Sequence, residues 1–124
     1  MLIDTDILID YLRSKEAAVA FLEAQINHCF VSAMTVAELY QGVREGYERK
    51  TLAESVSALS VLPVTEDIAV TAGLLRCDYK NTSGCGLADC IIAATAMSHR
   101  LQLVTLNRRH FPMLEDVLTP YEKS

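Results

Sequence analysis

Apolar and polar positions along the chain fall into two rhythms, short apolar runs and longer stretches with helical periodicity. Residues 1–3 form a short apolar run that leads into Asp4, Thr5 and Asp6, and residues 7–12 beyond it have helical character. Residues 16–27 place Val19, Leu22 and Ile26 on one helix face. Residues 29–32 suit a half-buried strand. Thr35 opens a helix with Val36, Leu39, Tyr40 and Val43 at i, i+3, i+4 and i+7, and residues 50–59 repeat the pattern through Leu52, Val56 and Leu59. Residues 61–64 predict a third strand, kept short or at a sheet edge by Pro63. Thr65, Glu66 and Asp67 start a helix that runs towards Tyr79, and residues 81–86 read as a flexible loop. Residues 87–99 are apolar nearly all round, which predicts a buried helix. Residues 103–106 form a fourth strand and residues 117–119 a fifth. Strands alternating with helices predict an α/β domain with a mainly parallel sheet of four to five strands. A length of 124 residues suits one such domain over residues 1–124.

Charge complicates the choice of partner. Lys and Arg number 11 against 16 Asp and Glu, a net charge of -5, and bulk charge alone argues mildly against a polyanion ligand. The first twelve residues carry Asp4, Asp6 and Asp10 where a secretion signal would need basic residues, and the apolar run at 90–98 is too short to span a bilayer. A cytoplasmic protein is the expectation. Cys29, Cys77, Cys85 and Cys90 form no Cys-x-x-Cys pair, and His28, His99 and His110 are not spaced to complete a zinc site. They read as reduced thiols acting as small hydrophobes.

Several acidic and amide groups stand where core building alone does not put them. Asp4 and Asp6 follow the first strand, at the strand end where open parallel sheets bind ligands. Glu38 lies off the apolar stripe of its helix, Asp89 opens an otherwise buried helix, and Asn107 follows the fourth strand. A parallel sheet can bring all of these to one edge. Carboxylates gathered there repel one another, and a hard divalent cation such as magnesium or manganese relieves the repulsion. Each position also has a structural explanation. Asp4 or Thr5 caps a helix, Glu38 completes a capping box from Thr35, Asp89 complements a helix dipole, and Asn107 is a turn residue.

Four segments, taken in order, resemble a known family. Residues 2–9 resemble the opening strand and turn of PIN domains, and residues 32–39 with Gly42 resemble their second motif. Residues 87–96 resemble the third motif, and residues 103–107 followed by His110 and Phe111 the fourth. The resemblance spans nearly the whole chain and is to the compact toxins of the VapC type. It implies a three-layer α/β/α sandwich around the parallel sheet and an endoribonuclease dependent on Mg2+ or Mn2+. It also implies a homodimer held inactive by a small antitoxin protein. Carried across by motif, Asp4, Glu38 and Asp89 are the metal-site residues, with Asp4 and Asp89 as direct ligands. Thr5, Asp6 and Thr105 support the site, and Glu38 or Asp6 orients the water that attacks phosphorus in line. Arg108, Arg109 and His110 are candidates for phosphate contact. Asn107 stands where many relatives have Asp, and an amide brings no charge to a second metal.

Two other readings remain open at this level. Asp4, Thr5 and Asp6 after an apolar strand also resemble the start of haloacid-dehalogenase-like phosphatases, whose later motifs this chain lacks. Asn107 equally allows a PIN-like module that binds a partner and cuts nothing.

Overall fold

A computed structural model describes residues 1–43, 45–82 and 84–123. Among these residues the order is β1 (Leu2–Ile3), α1 (Thr5–Leu12), α2 (Glu16–Ala24), a 3-10 turn (Ile26–His28), β2 (Val31–Ser32), α3 (Ala33–Gln41) and α4 (Tyr47–Ser57). Then follow β3 (Val61–Leu62), α5 (Glu66–Asp78), α6 (Leu87–His99), β4 (Leu103–Val104), a second 3-10 turn (Arg108–His110) and β5 (Val117–Leu118). The pairings β1–β4, β4–β5 and β2–β3 are all parallel. A parallel bridge between Leu2 and Phe30 joins the two groups into the spatial order β3-β2-β1-β4-β5. β3 is the edge strand that Pro63 predicts.

Alternate side chains of these short strands feed two cores, because successive residues of a strand face opposite sides of a sheet. Ile3, Val31 and Val104 pack on one side with Ile7, Leu8, Leu22, Leu39 and Leu52, which come from α1 to α4. Leu2 and Leu103 pack on the other side with Ile92, Ala93 and Ala96 of α6 and with Phe111. Ile68 and Ala72 of α5 close on Cys90 and Ala94 of α6 in a third cluster. The result is the predicted sandwich, with helices on both faces of a parallel sheet. Among the described residues no helix is long and apolar enough to cross a membrane.

Local capping shifts several boundaries from those the periodicity predicts. α1 starts at Thr5, because the Asp4 side chain accepts the Thr5 N–H. α3 starts at Ala33, because the Ser32 hydroxyl accepts the Met34 N–H and takes the capping role that the sequence suggests for Thr35. Thr35 therefore lies inside the helix and is fully buried, while Tyr40 of the predicted apolar stripe is exposed. α6 is buried along its middle, yet Leu87 and Met97 at its ends are exposed. Of the predicted loop at 81–86, Ser83 lies outside the described residues. Cys85 of the same loop is buried, with its sulfur 3.7 Å from that of Cys90. All four cysteines are free thiols, and Cys77 is exposed rather than packed as a small hydrophobe.

Candidate active site

A parallel sheet places the carboxyl ends of its strands on one edge, and helices that follow those strands begin there. Asp4 leaves β1, Thr105 leaves β4, and the chain leaves β2 at Ser32 directly into α3. Asp4 is buried, at 6% exposure. One of its carboxylate oxygens accepts the Thr5 N–H at 2.8 Å and the other the Thr105 hydroxyl at 2.7 Å. Thr105 in turn accepts the Asn107 N–H at 3.0 Å. Asp6 accepts the Ile7 N–H at 2.8 Å on one oxygen. Its other oxygen accepts the Leu106 N–H and the Asn107 side-chain amide, both at 3.0 Å. Asp6 thus ties the start of α1 to the segment leaving β4. Asp4, Thr105, Asp6 and Asn107 form one hydrogen-bonded group.

Glu38 reaches this group through threonine hydroxyls. The Thr5 hydroxyl donates to a Glu38 carboxylate oxygen at 2.7 Å and stands 3.0 Å from the Thr35 hydroxyl oxygen. A hydroxyl has one proton, so Thr35 donates to Thr5 while Thr5 donates to Glu38. Burial of Thr35 is explained by this bond rather than by a cap. Thr35→Val keeps shape but removes the donor, and is expected to cost about 1 kcal/mol of stability by urea unfolding. Thr35→Ser should restore it. An unchanged midpoint in Thr35→Val would remove the relay from the account.

Asp89, in the first turn of α6, accepts the Gly86 N–H at 3.3 Å. The same oxygen lies 3.6 Å from Nδ1 of His110. Gly84, at φ +85°, permits that approach, since a Cβ there would stand 2.8 Å from the His110 ring. Only glycine combines the left-handed backbone with so close a neighbour.

Electrostatics bind these carboxylates into one unit. The carboxyl of Asp4 is pushed up to about 7, chiefly by burial and then by the charge of Asp6, with Asp89 adding to the rise. Bonds from Thr105 and Thr5 offset part of it. Asp89 is raised by burial and further by the charges of Glu38 and Asp6, against the pull of the Gly86 N–H and His110. Asp6 is raised by burial, and its backbone and hydroxyl donors together with the charge of Lys123 oppose the rise. Buried carboxylates that penalise one another's ionisation are hard oxygen donors with unmet demand for positive charge, which is the chemistry of a divalent-cation site. Among the described residues, no group of three or more His, Cys, Asp or Glu is arranged to hold a metal ion as it stands. The donor set fits such an ion in its chemistry, and holding one requires the carboxylates to draw closer.

The basic residues divide by role. Arg108 donates to the Val117 carbonyl, which uses its guanidinium to fasten the second 3-10 turn to β5. Arg109 is exposed beside it. Lys123, which the sequence reading passes over, brings its ammonium within 3.2 Å of the Asn107 side-chain oxygen. Tyr121 donates to Asp10 at 2.9 Å, in the same tail. No motif marks either residue, because both act from a short segment with no periodicity. A cavity of about 370 Å³ opens beside the site, with Ile9, Leu12, Leu39, Val43 and Leu52 in its lining and Arg13, Glu38, Glu48 and Thr51 supplying polar groups.

A parallel sandwich with a cluster of mutually raised carboxylates at its strand ends belongs to the class of acidic-site α/β domains. The family model for the PIN domain matches residues 1–115. Ribonuclease VapC19 of Mycobacterium tuberculosis is 41% identical, over 97% of this chain and 98% of its own length. Ribonuclease VapC10 of the same organism is 38% identical, over 98% of this chain and 92% of its own. A toxin–antitoxin complex from Klebsiella pneumoniae contains a chain that superposes with a TM-score of 0.84 at 34% identity, covering 98% of both chains. The chain belongs to the PIN-domain family.

Proposed function

We propose that this protein is an endoribonuclease, the toxin of a type II toxin–antitoxin pair, hydrolysing RNA phosphodiester bonds with Mg2+ or Mn2+. Asp4 and Asp89 would hold the ion, with Glu38 completing the acidic set. The observation that carries this reading is the buried Asp4 carboxylate at the end of β1, joined through Thr105 to Asp6 and Asn107 and pressed by the charges of Asp6 and Asp89. A cluster of that kind is stabilised by a cation, and the chain's relatives are named ribonucleases. When bound, a divalent ion supplies positive charge to the phosphoryl group and acidifies water for attack.

The chain's own residues supply the rest. Glu38, steered by the Thr5 hydroxyl, orients the attacking water and takes its proton. Asp6 braces Thr105 and Asn107, and so keeps Asp4 in place. Arg109, His110 and the remaining guanidinium donors of Arg108 stand ready to meet phosphate oxygens. Local cations of this kind reconcile an acidic chain with a polyanionic substrate. The cavity beside Glu38, part apolar and part lined by Arg13 and Glu48, suits an amphipathic segment of the antitoxin, which would cover the acid from substrate. The cytoplasmic homodimer remains part of the proposal, supported by an exposed apolar stripe through Val70 and Leu74 of α5.

Chelation tests the reading directly. Purified protein should cut RNA with Mn2+ or Mg2+ and lose that activity in excess EDTA while staying folded. Equal cleavage in EDTA would refute the metal mechanism. Cleavage absent under all conditions, with no metal-linked rise in Tm, would favour the PIN-like binding module instead. A more selective test is Glu38→Gln, which can still accept from Thr5 through its amide oxygen. We expect near-normal stability with at least a tenfold loss of activity, about 1.4 kcal/mol in the transition state. Wild-type rates would leave Glu38 only its bond to Thr5.

A further inference from the structure

The tail after β5 is fastened along the same helix that begins the acidic site. Asp6 and Asp10 lie four residues apart and so share one face of α1. Left alone, this like-charged pair would weaken the helix. The structure gives each a partner from the tail or next to it. Asp10 accepts the Tyr121 hydroxyl at 2.9 Å and lies 3.8 Å from the Lys15 ammonium, which also sits 5.3 Å from the centre of the Tyr121 ring. Asp6 feels the Lys123 charge, and Lys123 bonds the oxygen of Asn107, whose amide nitrogen is bonded to Asp6.

The dimensions agree with a strap running back along α1. One helical turn separates Asp10 from Asp6, about 6 Å along the axis. Lys123 lies two positions beyond Tyr121, a step that in extended form spans about 7 Å. Anchored at Tyr121, the tail therefore delivers Lys123 to the corner formed by Asp6 and Asn107. The upstream end is held as well, since the Leu118 carbonyl accepts the Thr105 N–H at 3.0 Å. At this corner the sequence carries an amide, so no fourth carboxylate competes for the ammonium.

We propose that Lys123 is a substrate-contacting residue, whose ammonium binds a phosphate oxygen of the RNA from the Asn107 side of the acidic site. The inference rests on the ribonuclease reading above and adds a residue to it. An ammonium there supplies, from the chain itself, positive charge on the side where a neutral Asn107 attracts no second cation. The same charge opposes loading of the carboxylates with metal. Lys123 thus has opposite effects on substrate and on metal, and this separates it from a mere structural tie.

The test uses the whole chain with Lys123→Met and Lys123→Arg, reading RNA cleavage at saturating Mn2+ and Mn2+ affinity by calorimetry. Lys123 is exposed in its hydrogen bond, so both variants should melt with the parent. Expected for Lys123→Met is a fall in cleavage of at least tenfold, with Mn2+ bound about threefold more tightly. Lys123→Arg should cleave within threefold of the parent. Arg100→Gln, at the far end of α6 from Asp89, removes an equal charge and should leave both readings alone. Cleavage by Lys123→Met within twofold of the parent would overturn the proposal. So would a joint loss of cleavage and Mn2+ affinity, which would mean that Lys123 only holds Asn107 in place for the metal. If the unaltered chain shows no metal-dependent cleavage, the ribonuclease reading itself fails, a result distinct from both.

Discussion

Asp4→Asn should lose RNA cleavage by at least a thousandfold, about 4 kcal/mol of transition-state stabilisation, while its metal-free form melts no lower than the parent at pH 8. The two halves have different origins. In the proposed mechanism, activity depends on a carboxylate at the carboxyl end of β1, where the ion would need negative charge. Stability depends on hydrogen bonds, and asparagine can keep them. Its oxygen can still accept the Thr5 N–H, and its amide nitrogen can donate to the Thr105 oxygen where Asp4 now accepts. Thr105 would then turn its proton towards Asp6, whose oxygen is 3.4 Å away. The variant also deletes a buried charge from a repelling cluster, which favours the folded state. Unfolding of Asp4→Asn on purification would show that the carboxylate serves the fold. Retained cleavage would remove Asp4 from the metal site.

The metal-free protein should lose stability as pH rises from about 4 to about 7, and then level off. Asp4 titrates near 7 when folded and near its ordinary 3.8 when unfolded. Between those values the unfolded chain has released a proton that the native state still holds, so deprotonation favours unfolding. The difference corresponds to about 4 kcal/mol at most for this one group. Asp6 and Asp89 are raised too and act in the same direction. Mn2+ bound as proposed would favour the ionised native form, so the gap in Tm between metal-loaded and EDTA-treated protein should widen from pH 5 to pH 8. Urea unfolding in EDTA at several pH values measures the slope, and Asp4→Asn should flatten it. A metal-free stability that rises with pH through this range would mean that the carboxyl is neither desolvated nor crowded.

The order of elements was legible because burial leaves periodic marks. Ile3 and Val104, which feed one core, and Leu2 and Leu103, which feed the other, alternate as strand residues must. Boundaries were less legible wherever a side chain near a helix start decided them. Ser32 looked like strand and acts as the cap of α3, and that choice turned Thr35 from a surface cap into a buried donor. Asp4 reads correctly as a cap, which uses one carboxylate oxygen and leaves the other for the Thr105 hydroxyl. Asp6 is expected as a supporting residue, but the bonds by which it braces two distant segments are set by tertiary contact alone. Arg108 also gives one guanidinium donor to the Val117 carbonyl, a tie that no sequence pattern marks. Lys123 and Tyr121 left no trace in pattern, since their partners are more than a dozen residues away along the chain.

β4 lies between β1 and β5, and its exit residue Thr105 bonds Asp4 across 101 positions of sequence. A ribosome making this chain must therefore pass residue 105 before the buried carboxylate of Asp4 gains the hydroxyl that holds it. Until then β1 lacks the neighbour that completes its side of the sheet, and Asp6 lacks Leu106 and Asn107. Contacts of such long sequence separation form late, after the entropy of closing the whole intervening loop has been overcome. Products of premature termination before residue 105 should therefore lack the hydroxyl that holds Asp4. The hydrogen-bonded group around Asp4 and Asp6 is complete only after residue 107 has been made.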